Sequence, residues 1–534
     1  MNSAHLDTFA KDHLPPVAQQ PEFLFNLPEL AFPETLNCAS ELLDRHIVEG
    51  RGARVCLRSL SETWTYADLY HRANQIAHVL VDELGLVPGN RVLLRAPNNP
   101  MLAACWFAVI KAGGIAVATM PLLRAKELTT IIEIGHISLA LCDRTLADEM
   151  AAIANVSSLR VGYFDAHDKP DWVNIAAQSK PTTFHNIATS RDDTCMLAFT
   201  SGTTGVPKAT MHFHRDVMAA CACWPRSVLR ARADEVFIGS PPLAFTFGLG
   251  GLLLFPMAIG ASTILLEKAG PPQLLEAIVT LDATVLVTAP TSYRALAAHG
   301  AALRATALRK CVSAGEWLPA TTRALWREAT GIELIDGIGA TEMLHIFISS
   351  DEASARPGAT GKVVLGYQAQ VVDDDGREVP AGTVGKLRVK GPTGCRYLND
   401  ARQTQYVRDG WNYTGDAYMM DADGYFHYQA RTDDMIVSAG YNIAAPEVEE
   451  ALSSHPTVAE CAVVGIPDEE RGQIVKAYIV LRAEAMRDEG MKRTLQDFVK
   501  AAIAPYKYPR AIEFVDALPR TATGKLQRFR LKEK

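Results

Sequence analysis

The sequence predicts an α/β fold: a large N-terminal domain of parallel and mixed sheets flanked by helices, a β-rich subdomain, and a small α+β C-terminal domain. Three observations carry this. The chain has 534 residues, beyond the size at which one core keeps growing, so two or more domains are expected. Apolar runs rich in Val, Ile and Leu alternate with helical patterns through about the first 340 residues, the pattern of parallel strands covered on both faces. After about residue 365 the texture turns to short alternating strands, and the last hundred residues form a unit with apolar strands of their own.

Along the chain, "RVLLRAPNNPMLAACWFAVIKAGGIAVATMP" predicts a strand, a helix from about Asn98, a stop at Gly113-Gly114 and a second strand. "ATVLVTAPTSYRALAAHG" and "LRKCVSAGEWLPATTRALWREATGIELID" repeat the scheme. Ligands on such sheets sit at the carboxyl ends of strands. "YQAQVVDDDGREVPAGTVGKLRVKGP" alternates around an Asp375-Gly376 turn, and "MMDADGYFHYQA" predicts a hairpin with Asp423-Gly424 at its tip. A charged turn at Arg431 to Asp434 precedes the last unit, giving domains 1–430 and 435–534 with 431–434 between them. "VAECAVVGIP" and "VKAYIVLR" are the strands of that last unit.

Composition excludes several classes. Hydrophobic residues at 48% and charged residues at 21% are those of an ordinary globular protein. A net charge of −7 argues against a general nucleic-acid binder. Ten cysteines with no CxxC pair predict reduced thiols and no zinc site; Cys221 and Cys223 lack a matching pair nearby. "MNSAHLDTFAKDHLPP" has no apolar h-region, so no secretory signal is expected. The stretch from Pro241 to Leu266 is uncharged, yet it holds Pro241, Pro242, Pro256 and several glycines. It predicts a loop, a buried helix and a buried strand, with no membrane span, in a soluble cytoplasmic protein.

The chemistry begins at "LAFTSGTTGVPKAT", residues 197 to 210. Thr200, Ser201, Thr203 and Thr204 alternate with Gly202 and Gly205 at a strand end, and Lys208 follows. Small residues let backbone N–H groups approach phosphate oxygens, and a lysine supplies charge. Ala209 stands where a Walker loop needs Ser or Thr for magnesium. Alone, the segment equally fits a Ser/Thr-rich surface turn. In "LIDGIGATEMLHIF" a strand runs into Asp336, Gly337 and Gly339, then Thr341-Glu342. Glycines leave room for a flat ring, and a carboxylate beside a hydroxyl suits magnesium; alone, the segment reads sooner as a turn plus a helix start, with Thr341-Glu342 as its cap. "NYTGDAY" offers Asp416 to ribose hydroxyls, "RTDDMIVSAGYNI" contains Arg431, and "PRTATGKLQR" carries Lys525 in a basic tail.

Together and in this order the segments resemble the adenylate-forming superfamily of acyl- and aryl-CoA ligases, luciferases and peptide-synthetase adenylation domains. "TSGTTGVPK", "GATE", "TGD", "RTDDMI" and "PRTATGK" all fall in family order over nearly the whole chain. The resemblance implies ATP, Mg2+ and CoA as cofactors and cosubstrate. ATP would be held by Thr200, Ser201, Gly202, Thr203, Thr204, Lys208, Gly315, Glu316, Asp336, Gly337, Gly339, Thr341, Asp416, Arg431 and Lys525. Glu342 would bring the metal, and Lys525, Glu342 and Thr341 would serve the chemistry. The resemblance also implies that the C-terminal domain is mobile, with Asp433 as hinge and with Gly440 and Tyr441 admitting the pantetheine arm of CoA.

"DGIGATEMLHIF" looks like the benzoate-CoA ligase branch, and "HLDTFAKDHLPP" with "PPLAFTFGLGG" looks closest to 2-aminobenzoate-CoA ligases within it. The implied partner is an aromatic carboxylic acid, and the implied setting aromatic compound degradation. Its pocket would be Ala244, Phe245, Phe247, Gly248, Gly339, His345 and Ile346, a short flat slot. Benzoate ligases often have Tyr where Phe247 stands, so a phenol donor is missing here. His345 reads either as a polar wall of the slot or as a histidine with no role. A free-standing aryl-acid adenylation enzyme loading a carrier protein, and a medium-chain acyl-CoA ligase, are the alternatives. No carrier domain follows Lys534, which favours CoA. Family members commonly form dimers, making a homodimer an implied assembly. "PRTATGK" also fits the pattern at which protein acetyltransferases modify some bacterial members, here at Lys525.

Overall fold

The computed structural model describes residues 3–532 apart from 155–157, 168–169, 202–206, 439–440, 469–470, 484, 504 and 521–525. Its architecture is α/β, with a large N-terminal domain of mixed sheets, a β-rich subdomain and a small α+β C-terminal domain.

Two large sheets form the N-terminal domain. One has six strands in the order Arg160–Phe164, Leu139–Asp143, Arg91–Arg95, Ile115–Thr119, Thr194–Ser201 and Pro207–Phe213, parallel except for the last pair. The other has nine; its middle runs Leu334–Gly339, Lys310–Ser313, Val285–Thr288, Val236–Gly239, Ser262–Ile264 and Val55–Arg58, all parallel. Their strands are buried almost throughout, as expected where helices cover both faces. Between the sheets lies the helix Pro100–Lys111, every residue of which is buried. Pro100 sits in its first turn, and the Asn99 side chain accepts from the Leu102 N–H at 2.9 Å. The helix starts two residues later than the sequence predicts, because this cap satisfies a donor that Asn98 leaves open; Asn98 instead accepts from the Leu243 N–H at 2.8 Å.

The uncharged stretch folds as Thr246–Leu249, a wide turn Gly250–Leu254, Phe255–Ile259 and the strand Ser262–Ile264. Among the described residues no helix is long and apolar enough to cross a membrane. The β-rich subdomain places Gln368–Val372, Val384–Lys390, Trp411–Met420 and Val407–Arg408 side by side, with Phe426–Arg431 also pairing Trp411–Met420.

The next strand, Ile436–Ser438, belongs to a different sheet with Tyr441–Ile443, Gly472–Leu481, Val458–Asp468 and Ala511–Phe514. Between the two sheets lies only the short turn Thr432–Asp434. The helices Ala445–Ser453 and Glu489–Ala502 close a separate core of Val448, Leu452, Val463, Ile479, Leu495 and Val499. The last domain therefore carries its own buried core and touches the first through polar contacts, such as the Ala320 N–H donating to Glu450 Oε1 at 3.3 Å.

Candidate active site

Thr194–Ser201 and Pro207–Phe213 are antiparallel partners, with Thr200 opposite Lys208. Side chains alternate along a strand. Lys208 and His212 therefore share a face, and both meet the short turn Thr341–Met343. Lys208 Nζ lies 3.0 Å from Glu342 Oε1. Tyr397 joins the pair: its hydroxyl donates to Glu342 Oε1 at 2.5 Å and accepts from Lys208 Nζ. The ammonium also lies 4.4 Å from the Tyr397 ring centre and 5.4 Å from that of Tyr406. Burial raises the pKa of the Glu342 carboxyl, but Lys208 and the Tyr397 hydroxyl outweigh it, and the net shift is downward. Glu342 is thus a buried, ionised carboxylate.

His212 Nε2 donates to the Thr341 carbonyl at 2.8 Å. Burial pushes its pKa down to about 4, against the pull of Asp216. Asp216 is held by Arg396 at 2.7 Å, both side chains fully buried. The Arg396–Leu398 segment lies along the lysine strand: Met211 N–H donates to Arg396 O at 2.7 Å and Leu398 N–H to Ala209 O at 2.9 Å. That pairing delivers Tyr397 to the cluster.

A cleft of about 590 Å³ adjoins this cluster. It is walled by Gly315, Glu316, Asp336, Gly337, Gly339, Asp416 and Arg431 from the N-terminal domain and by Glu449, Arg520 and Leu526 from the C-terminal one. Seven of the residues expected to hold ATP thus share one cavity. Lys208 and Thr341 stand beside it, and Thr200 has a buried hydroxyl without a hydrogen-bond partner. Gly315 has φ +86° and open space where a Cβ would stand. Burial raises the Asp336 pKa to about 7, more than Arg323 lowers it. Burial also raises that of Asp416, although Arg431 donates to its Oδ1 at 2.8 Å.

Gly202, Thr203, Thr204, Gly440 and Lys525 lie outside the described residues, as do the side chains of Ser201, Asp433 and Tyr441. Arg520 and Leu526, which flank the segment containing Lys525, pair with each other and line the cleft. The Asp433 backbone belongs to the turn between the two domains.

Of the residues expected to form the slot, only Gly339 lines the cleft. A Cβ on Gly339 would stand 2.7 Å from the His345 carbonyl oxygen, so the two are in close approach. His345 is fully enclosed, its ring centre 5.4 Å from that of Trp224, 5.7 Å from Phe247 and 4.5 Å from Phe255. Burial pushes its pKa down to about 3; the Phe247 backbone favours the charged form, but neither ring nitrogen reaches hydrogen-bonding geometry. Ile346 is buried beside it, Gly248 is buried, and Ala244, Phe245 and Phe247 are half-buried.

The residues that sequence reasoning missed are Tyr397 and His212. "CRYLND" carries no motif by itself, and "MHFH" reads as strand; only the pairing of three distant segments makes them neighbours of Glu342. A second group of metal-ligating side chains, Cys38, Cys195 and His214, lies buried elsewhere. There His214 Nδ1 accepts the Cys38 N–H at 3.1 Å and lies 3.3 Å from Cys38 Sγ.

Comparison with known proteins identifies the family. The AMP-binding enzyme family matches residues 44–397, and the AMP-binding enzyme C-terminal domain matches residues 447–525. The chain is 34% identical to the benzoate–CoA ligase of Thauera aromatica, covering 95% of this chain and 97% of that one. The solved anthranilate CoA ligase AuaEII, in complex with anthranoyl-AMP, superposes with a TM-score of 0.89 at 34% identity, covering 95% of this chain and 98% of that one. ATP-bound MatB from Rhodopseudomonas palustris superposes with a TM-score of 0.86 at 29% identity, covering 93% and 98%.

Proposed function

The chain belongs to the AMP-binding enzymes, adenylate-forming acid–thiol ligases, and from that premise we propose that it activates an aromatic carboxylic acid of the benzoate or 2-aminobenzoate type and passes it to CoA. The observation that carries this reading is the Lys208–Tyr397–Glu342 cluster at the edge of the cleft walled by Asp336 and Asp416.

In the cluster the lysine and the carboxylate neutralise each other. When polyphosphate draws the Lys208 ammonium away, Glu342 becomes a buried charge without its counter-ion, which is strongly unfavourable. A divalent cation corrects that imbalance, so the residues present fit magnesium: the Glu342 carboxylate, with the Thr341 hydroxyl beside it, would hold it. Bound there, magnesium would supply charge neutralisation to the pyrophosphate leaving group. Lys208 would add its own positive charge at the phosphates, and the unpartnered Thr200 hydroxyl would donate a further hydrogen bond. The acid's carboxylate attacks the α-phosphate, the bond to pyrophosphate breaks, and an acyl-adenylate forms. The thiol of CoA then displaces AMP to give the thioester.

Lys525 completes the first half-reaction by bridging carboxylate and α-phosphate; its flanking residues Arg520 and Leu526 at the cleft support that placement. Rotation about Asp433 would then bring Gly440 and Tyr441 to the site for the second half-reaction, a gating step. Ala244, Phe245, Phe247, Gly248, Gly339, His345 and Ile346 would form the ring slot. The likeness to a benzoate–CoA ligase and an anthranilate CoA ligase supports an aryl acid.

Pyrophosphate release with ATP and magnesium over a panel of aryl and aliphatic acids, with and without CoA, tests this. Turnover on benzoate or 2-aminobenzoate that needs CoA for thioester formation is expected. Lys525→Ala should lose adenylation while still making thioester from supplied acyl-AMP. Turnover only on medium-chain acids, or only with a phosphopantetheinyl carrier, would replace the aryl-CoA reading.

A further inference from the structure

The strand Pro207–Phe213 meets the turn at Thr341–Glu342 twice. Lys208 holds the Glu342 side chain, and four residues on, His212 donates to the carbonyl of Thr341. The two contacts differ in kind. The Lys208 contact involves the charge that phosphate attracts, so it is given up when ATP arrives. The His212 contact is to backbone, lies on a fully buried side chain, and is untouched by a ligand in the cleft. We infer that His212 is a positioning residue for the metal-bearing turn, keeping Thr341 and Glu342 in place once Lys208 has turned to the phosphates.

Three features support the assignment. The acceptor is a carbonyl, so Nε2 must carry the proton, and Nδ1 has no hydrogen-bond partner. The ring is therefore committed to one bond and to no other. The turn needs such a tether: it has only three residues, and Leu344 directly after it sits at φ +68°, a conformation that costs energy for a non-glycine residue. Finally, the strand itself is anchored on its far side. Arg396–Leu398 pairs with it through Ala209 and Met211, while the buried Arg396–Asp216 ion pair fixes the start of the following helix. His212 thus transmits a rigid framework to a short strained turn. Holding a ligand-bearing carboxylate to within a few tenths of an ångström from behind is what supporting hydrogen bonds do at metal sites.

The inference rests on Glu342 being the magnesium ligand, and the test separates the two. Mn2+ is titrated into enzyme with ATP but no acid, and free Mn2+ is read by electron paramagnetic resonance. The variants are His212→Leu, His212→Gln and Glu342→Gln. Gln places an amide N–H near the position of Nε2; Leu cannot donate. Loss of one hydrogen bond corresponds to roughly a three- to tenfold weaker Mn2+ dissociation constant in His212→Leu. In pyrophosphate release, kcat should fall while KM for the acid stays unchanged, and His212→Gln should restore both Mn2+ binding and kcat. Should the leucine variant not fold, His212→Asn, too short to reach the Thr341 carbonyl, replaces it. An unchanged Mn2+ constant in His212→Leu while Glu342→Gln weakens it overturns the inference. So does equal impairment in Leu and Gln. An unchanged constant in Glu342→Gln overturns the magnesium assignment and the inference with it.

Discussion

Lys208 and Glu342, 134 positions apart in the chain, meet at 3.0 Å with Tyr397 bridging them. The lysine comes from a hairpin of the six-stranded sheet and the glutamate from a turn leaving the nine-stranded one. Their contact ties an element of each sheet together near the cleft, whose lining reaches Gly339.

That contact predicts non-additive mutants. Lys208→Ala leaves the buried Glu342 carboxylate unpaired and should cost about 3–5 kcal/mol of stability. Glu342→Gln should cost less, because Lys208 is the more exposed partner, and the double variant should be more stable than the sum of the two predicts. Chemical denaturation of the four proteins measures this. Both single variants should also lose roughly 100-fold or more in adenylation kcat.

The Asp336 carboxyl predicts a pH effect. Its pKa is raised by burial from 3.8 to about 7, so the folded state binds its proton more tightly than the unfolded chain does. Its contribution to stability is then full below about pH 4, falls as pH rises towards 7, and is constant above that. Asp336→Asn should raise the melting temperature at pH 8 and change it little at pH 4. Melts that shift equally at both pH values would contradict the burial argument.

Gly250 is predicted to set the shape of the ring slot. Its φ is −62°, open to any residue. Yet a Cβ there would stand 2.5 Å from His345 Cδ2 and 3.0 Å from Nε2. Gly250→Ala should therefore destabilise by about 1–3 kcal/mol through overpacking and alter the ranking of ring-substituted acids. Adding His345→Ala should recover much of the stability. If the double variant melts no higher than Gly250→Ala, the clash is not what matters.

If the cleft holds ATP as proposed, Asp416→Ala should raise KM for ATP at least about tenfold, since it removes a buried acceptor from the cleft wall. KM for the acid should hold. A matching rise in both would place Asp416 outside the nucleotide subsite.

The sequence by itself determined the α/β class, the change of texture after residue 365, and the short segments that carry Lys208, Asp336, Glu342 and Asp416. The class and the change of texture follow from local rules, in which alternation marks strands and glycines mark turns, whereas the roles expected of the four residues come from the resemblance of the segments, in their order, to a known family. The tertiary structure alone decided that Tyr397 lies between Lys208 and Glu342, that His212 reaches the Thr341 carbonyl, and that His345 is walled in by Trp224, Phe247 and Phe255. Each of these joins segments dozens to hundreds of residues apart. Periodicity reports which face of an element is buried, but not what it is buried against. That depends on which strands become neighbours, and strand order is fixed by the packing of the whole domain.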